Sequence, residues 1–433
     1  MEAITDPAAL AAHFVDLADR GRWQDIEALF APNLRAVVSA DAVQAGWTSE
    51  ALPLGDLAGL GPAHAEQIDG GLTRVSVPVS FAKGDLTVVI ATTGDGLLQG
   101  LRLAAAGEWA PPPYAAPKRF AEHEVVVGDG PLAVPGTLTV PRAGGPFAAA
   151  ILLSGGGPFD RDGTAGPLKP LKDLAWGLAS RGIASLRFDK VSAVHPEVLA
   201  EMLEFTAADE YLPYARDAFR QLHRNPEISS DRIHVVGHSM GGKMAPRVAE
   251  AEPGIAGLVL LAADAVPMQR AVVRTVRHLV SLGAIPAAAV AAVEQQAANV
   301  ERDDLSSSTP TEDLPLGYSG AYWLDLRSYD PVATAGKLDR PMLILQGGRD
   351  YQVTEADDLA LWRAGLGDRP DVDIRVHAAD NHMFAPGTGP STPAEYSTPA
   401  NVDPAVVDDI VMWINPEASP GKRLFPGIRG RRN

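Results

Sequence analysis

Three residue types in a fixed order along this chain could together break an acyl bond. Ser239 lies in Gly237-His238-Ser239-Met240-Gly241-Gly242, where an apolar run, 233–236, ends in Gly-x-Ser-x-Gly and a helical pattern begins at once. That is the sequence form of a nucleophile elbow, a sharp turn that lifts a serine hydroxyl above the end of a sheet. In a chain with 42 glycines, roughly 0.2 such matches arise by chance, so the rest of the chain must carry the reading. A serine hydroxyl is a weak nucleophile; it needs a base, and the base needs an orienting acid. In this arrangement the chain order is serine, acid, histidine. Asp350 follows the apolar run Leu343-Ile344-Leu345-Gln346, and His382 follows a further run at 373–377. Both would then project from carboxyl ends of strands, the edge that carries the elbow. His377 is a rival base at a strand end, and Asp357 and Asp358 are rival acids in a helical stretch. His238 reads as a pocket-wall residue.

Acyl transfer also needs two backbone N–H groups aimed at the developing oxyanion. Met240, the residue after the nucleophile, supplies one. The glycine loop after the run at 147–153 would supply the other, from Gly156, with Gly157 as its alternative. Arg161, set between Asp160 and Asp162, reads together with Asp189-Lys190 as a salt-bridge network bracing that loop. Tyr322 and Trp323 have two readings, core packing and an aromatic wall of the substrate pocket.

Stepping along the chain gives the elements that must position these groups. Helical periodicity over residues 8–31, then alternating strands at 74–81, 85–92 and 97–103, make a small α+β domain over 1–105. Residues 106–118 form a Pro-rich linker. From 119 to 418, buried strands alternate with helices, which implies an α/β architecture with a mostly parallel sheet and helices on both faces. The alternation lapses at about 264–338, a helical cap insertion over a pocket. Residues 419–433, with Arg429, Arg431 and Arg432, form a tail.

Composition narrows the function. The formal net charge of −17 argues against nucleic-acid and anionic-membrane partners. With no cysteine, disulfides, thiolate metal sites and a cysteine nucleophile are excluded. No cofactor and no metal are expected. The N-terminus lacks the uninterrupted apolar core of a secretory signal, so the cytoplasm is the expected compartment.

Several separated motifs carry a family resemblance: Ser-Gly-Gly-Gly-Pro-Phe-Asp-Arg-Asp-Gly at 154–163, Phe188-Asp189-Lys190, the elbow at 237–242, Tyr322-Trp323-Leu324-Asp325-Leu326, Leu-Gln-Gly-Gly-Arg-Asp-Tyr-Gln-Val at 345–353 and Asn381-His382. Residues 119–415 resemble the α/β-hydrolase superfamily, specifically bacterial serine esterases close to the acyl-CoA thioester hydrolase branch. Residues 8–103 resemble, more loosely, a cone-shaped α+β domain that precedes such esterases. The resemblance implies an α/β-hydrolase fold and a carboxylic-ester hydrolase with Ser239 as nucleophile, His382 as base and Asp350 as orienting acid. The chain departs from the common pattern at Val191-Ser192-Ala193, where Arg-Gly often stands, and at Asn401-Val402, where His-Val is common. Both positions lie near the pocket in such folds.

The leading expectation is hydrolysis of a small-molecule ester through an acyl-enzyme. The alternative is a thioesterase or acyltransferase acting on coenzyme A- or carrier-bound acyl groups, with Arg270, Arg274 and Arg277 as a basic patch for phosphates. A non-hydrolytic binding protein is a third reading. The N-terminal domain is open between a pocket lid, the surface of a homodimer and a separate binding module.

Overall fold

The computed structural model describes residues 4–35, 38–68, 72–105 and 109–416. The tail at 419–433 lies outside them. Two sheets organise the chain. The first holds β1 (Leu57–Leu60), β2 (His64–Ile68), β3 (Leu72–Phe81), β4 (Gly84–Thr92) and β5 (Leu98–Ala105). It is antiparallel, in the order β1-β3-β4-β5, with β2 also pairing β3. Alternation places Val75, Val77 and Val79 on one face of β3 and Leu86, Val88 and Ile90 on one face of β4, all buried. Against them pack Phe14 of helix Pro7–Asp19 and Trp47 of helix Ala40–Glu50. That second helix and the strands β1 and β2 are absent from the sequence reading. The β1 stretch, Leu-Ala-Gly-Leu, is mostly exposed and has no alternation to detect. The helix did leave a sign: Ser39 caps it by accepting from the Ala42 N–H, and Val43 and Trp47 are its buried i, i+4 pair.

The second sheet contains β6 (Phe120–Val127), β7 (Val134–Pro141), β8 (Phe147–Leu153), β9 (Ile183–Phe188), β10 (Ile228–His238), β11 (Leu258–Leu261), β12 (Met342–Gly347) and β13 (Val372–His377). Its order is β13-β12-β11-β10-β8-β9-β7-β6. The six strands from β13 to β9 run parallel; β7 and β6 add an antiparallel edge. Every residue of β8, β9, β11 and β12 is buried, which is why β8 and β11 read as unbroken apolar runs and β9 and β12 as runs interrupted only by Ser185, Arg187 and Gln346. Separate apolar cores cover the two faces. Helix Ala207–Arg224 shows how the sequence dictates one of them. Thr206 and Asp209 form a reciprocal capping box, and Tyr211, Tyr214, Ala215, Ala218, Phe219 and Leu222 make a buried stripe. Each large side chain of that stripe stabilises the fold by about 1.5–3 kcal/mol.

Between β11 and β12 the chain leaves the sheet. Helices Met268–Ser281, Ala288–Glu301, Gly320–Ser328 and Pro331–Lys337 form the insertion. The Pro-rich segment after residue 108 is clamped to the second sheet's helices. Trp109 donates its Nε1–H to Asp173 at 2.8 Å and meets Trp176 edge-on, with ring centroids 5.1 Å apart. A cavity of about 600 Å³ opens between Trp47 and Leu103 on one side and Ala165, Pro393 and Tyr396 on the other. Among the described residues, no helix is long and apolar enough to cross a membrane.

Candidate active site

Ser239 sits between β10 and helix Met240–Ala251 with φ 55° and ψ −123°. A non-glycine residue reaches that region only when its surroundings impose it. Here the cause is close packing of strand against helix. A Cβ on Gly237 would overlap the Gly241 backbone, and one on Gly241 would come within 2.5 Å of the Leu153 carbonyl oxygen. The Ser239 N–H is fixed to the Leu261 carbonyl at 2.8 Å. Met240 is the first residue of the helix, so its N–H has no partner within the helix.

Asp350 and His382 come together as the sequence suggests. His382 Nδ1 lies 2.7 Å from Asp350 Oδ2. The other carboxylate oxygen, Oδ1, accepts the N–H groups of Gln352 and Val353 at 2.8 and 2.9 Å, which holds the acid in one orientation. With Nδ1 engaged, Nε2 has no hydrogen-bond partner among the described residues. Burial disfavours the imidazolium, but the Asp350 carboxylate and its hydrogen bond outweigh this, so His382 is held above its ordinary pKa. Asn381 supports the loop from the side: its Oδ1 accepts from the Met383 and Ala385 N–H groups, and its Nδ2 donates to Glu395 at 2.8 Å.

His238 Nε2 donates to the His382 main-chain carbonyl at 2.8 Å, so it props the loop that carries His382. Burial, and then repulsion from His382, push its pKa down to about 4, which keeps it neutral. The rivals are engaged elsewhere. His377 faces Asp409, with Nε2 3.2 Å from Oδ2. Asp358 accepts the N–H groups of Thr354, Ala265 and Val266 as well as Arg274, and Asp357 pairs with Arg274.

The glycine loop after β8 is braced from beneath. The Gly155 carbonyl accepts from Lys190 Nζ at 3.0 Å and from the Tyr211 hydroxyl at 2.9 Å. Lys190 is paired with buried Glu210 at 2.9 Å, and Glu210 also accepts from the Tyr322 hydroxyl at 2.6 Å and from Ser192 at 2.5 Å. In a trans peptide the N–H and the preceding C=O point in opposite directions. The Gly156 N–H is therefore turned away from this network. Gly156 lines both cavities that meet at Ser239, and Gly157 lines the larger one. Arg161 forms the expected brace, bonded to both carboxylate oxygens of Asp189 and to Glu124.

Tyr322 and Trp323 line neither of those two cavities. Trp323 is fully buried and donates to the Pro315 carbonyl at 3.2 Å; Tyr322 is held by Glu210. The aromatic side chain that does line the larger cavity is Tyr318, delivered by a turn with φ 59° at Leu316 and 67° at Gly317. Sequence reasoning also missed Met268, Gln352 and Asp264 in the lining. The Pro-Leu-Gly-Tyr turn was a visible signal for Tyr318; Asp264 left none. At the departure positions, Ser192 bonds Glu210, while Asn401 is tied to Asp173 and the Ala110 carbonyl and lines neither cavity beside Ser239.

The chain is 32% identical over 386 residues to Esterase EstD of Thermotoga maritima, covering 88% of this chain and 89% of that protein. It belongs to this esterase family. No protein-family model matches it. Among solved structures, Est1E from Butyrivibrio proteoclasticus is 14% identical and covers 67% of this chain and 98% of its own, with a TM-score of 0.43. An esterase of Pyrococcus furiosus is 15% identical, with 72% and 96% covered and a TM-score of 0.42. The expected branch of acyl-CoA thioester hydrolases finds no counterpart in these matches.

Proposed function

We propose that this EstD-family chain hydrolyses carboxylic esters through an acyl-enzyme formed on Ser239. The observation that carries the reading is the 2.7 Å contact of His382 Nδ1 with Asp350, which leaves Nε2 free beside a cavity that Ser239 and His382 both line. In the first half-reaction, His382 Nε2 takes the Ser239 proton as Oγ bonds to the ester carbonyl carbon. The carbonyl electron pair moves onto oxygen, where the N–H groups of Met240 and Gly156 receive it. The C–O bond to the alcohol then breaks, and His382 returns its proton to the leaving oxygen. Water repeats the sequence on the acyl-enzyme and releases the acid. Asp350 fixes the tautomer and stabilises the transient imidazolium.

Mass spectrometry after fluorophosphonate treatment tests this: a single adduct on Ser239 with loss of ester turnover is expected, and labelling at another residue would overturn it. The thioester reading has weaker support. The cap arginines that would meet coenzyme A phosphates are spoken for, with Arg270 on Glu301, Arg274 on Asp357 and Asp358, and Arg277 on Glu294.

A further inference from the structure

The cavity of about 600 Å³ at the junction of the two sheets takes no part in the acyl transfer described above. Val38, Trp47, Leu101 and Leu103 wall it from the first sheet's side, and Pro393 and Tyr396 from the second's. Except for Trp47 these side chains are half-buried, so apolar surface is left for a guest to cover. The polar members of the lining do not call for a charged guest. Glu50 and Arg102 are of opposite sign and both exposed, the Tyr396 hydroxyl already accepts from Gln352 at 3.2 Å, and Ser397 is neutral.

Gly46 points the same way. It lies inside helix Ala40–Glu50, where glycine is the least favourable residue after proline. A Cβ there would meet no atom within 4 Å. No neighbour therefore requires glycine at this position. What its missing side chain leaves open is the junction cavity, which Gly46 lines.

The junction cavity lies next to the candidate active site. Gly163 borders the cavity of about 80 Å³ that Ser239 and His382 share, and Ala165 and Gly166, just along the same loop, border the junction cavity. Gln352 lines the small cavity, and its Nε2–H is donated to Tyr396, which lines the junction cavity. The partition between them thus includes one hydrogen bond between two half-buried side chains, and a neutral bond of that kind is a weak barrier.

The chemistry assigns the guest. His382 must reach the leaving oxygen to return its proton, so the alcohol part of the ester lies on the His382 side, in the small cavity. At ~30 Å³ per water-sized group that cavity has room for about three non-hydrogen atoms, and the junction cavity for about twenty. A larger alcohol must continue past the small cavity, and the junction cavity is the neighbouring space along the 163–166 loop.

We propose that the junction cavity receives the distal part of the substrate's alcohol, so that the preferred esters are those of primary alcohols carrying an aromatic or alicyclic group on a spacer of about three carbons. This rests on the acyl-enzyme reading above. The bond changes are those already given: the C–O bond breaks, and His382 returns its proton to the alcohol oxygen. The first sheet and its helices then select which alcohol leaves.

The test uses the full chain and a series of butanoates: propyl, benzyl, 2-phenylethyl, 3-phenylpropyl and 4-phenylbutyl. All are esters of primary alcohols, so the leaving oxygen changes little across the series. The 3-phenylpropyl or 4-phenylbutyl ester is expected to exceed propyl butanoate by about ten-fold or more in kcat/KM, as burial of a phenyl ring allows. Benzyl butanoate, whose ring falls within the small cavity, should lie at or below propyl butanoate. Gly46→Phe and Gly46→Trp place a ring in the junction cavity, and the phenylpropyl-to-propyl ratio should fall to about one in both. Gly46→Ala, which adds only a Cβ, should keep the ratio. Each ratio is taken within one preparation, so a loss of folded protein does not alter it. No advantage for any phenylalkyl ester, an advantage independent of the spacer, or one that survives both Gly46→Phe and Gly46→Trp would overturn the proposal while leaving ester hydrolysis intact. Loss of the advantage in Gly46→Ala would also overturn it, because the helix and not the cavity would then be responsible. Failure of Ser239 to take the fluorophosphonate label would instead remove the acyl-enzyme, and this inference with it.

Discussion

Lys190→Met isolates the brace beneath the glycine loop. The substitution deletes the ammonium 3.0 Å from the Gly155 carbonyl and 2.9 Å from Glu210, both within a buried cluster. Two effects follow, and they separate. The first is on stability: removing one partner of a buried ion pair costs about 3–5 kcal/mol. Tyr322 and Ser192 still donate to Glu210, which favours the lower end of that range. The second is on the reaction. Among the described residues the Gly155 carbonyl keeps only the Tyr211 hydroxyl, at 2.9 Å, so the Gly155–Gly156 peptide is held less firmly and its N–H would leave the proposed oxyanion position. Loss of one such donor costs about 2.7–4 kcal/mol, or on the order of 10²–10³ in kcat. The assay is steady-state hydrolysis of an aryl ester, with the active concentration set by fluorophosphonate titration so that unfolded protein is not counted. The expected pattern is a large fall in kcat with KM little changed, because the oxyanion exists only past the ground state. Tyr211→Phe, which leaves Lys190 in place, should give a smaller fall in the same direction. If titrated Lys190→Met turns over within about three-fold of the parent, a small part of the loss expected for an oxyanion donor, the Gly155–Gly156 peptide is not that donor.

Other substitutions read other parts of the site. Asp350→Asn should lower kcat on the order of 10⁴-fold. It also removes the main influence that raises the His382 pKa, so the acid limb of the kcat/KM profile, where activity rises as His382 loses its proton, should move to lower pH. Asp380, fully buried beside Asp403, has its carboxyl pushed up to about 7 by burial and by that neighbour, against a weaker opposing pull from Arg349. Its proton is held more tightly folded than unfolded, so it weakens the fold progressively from about pH 4 up to about pH 7 and by a constant amount beyond. Asp380→Asn should therefore raise the melting temperature more at pH 8 than at pH 4; an equal shift at both would refute the assignment. Gly237→Ala, whose Cβ overlaps Gly241, should abolish folded protein, as judged by near-ultraviolet circular dichroism.

The site was legible where chemistry and local pattern coincide. Ser239 and Asp350 each follow a strand buried at its end, an apolar run that a reader can see, while His382 follows β13, a partly exposed edge strand. The choice between His382 and His377, or between Asp350 and Asp358, was not legible in the same way. It depends on partners far away in the chain: Asp409 for His377, Arg274 for Asp358. Nor could the sequence aim Tyr322, because its direction is set by Glu210 on another helix, over a hundred residues away. Asp264 is the extreme case. It sits in an unremarkable loop, and it acquires meaning only when Lys243 takes one of its oxygens and the cavity borders the residue. The strands β1 and β2 were lost for a simpler reason, since short exposed strands carry little hydrophobic signal.

The backbone of Ser239 has a consequence beyond the reaction. At φ 55° it occupies territory that glycine enters freely and that any side chain enters at a cost of order 1–3 kcal/mol. The residue proposed as the nucleophile is thus one whose backbone opposes folding. Selection for heat resistance alone, with no demand for turnover, would be expected to drift toward glycine at this position.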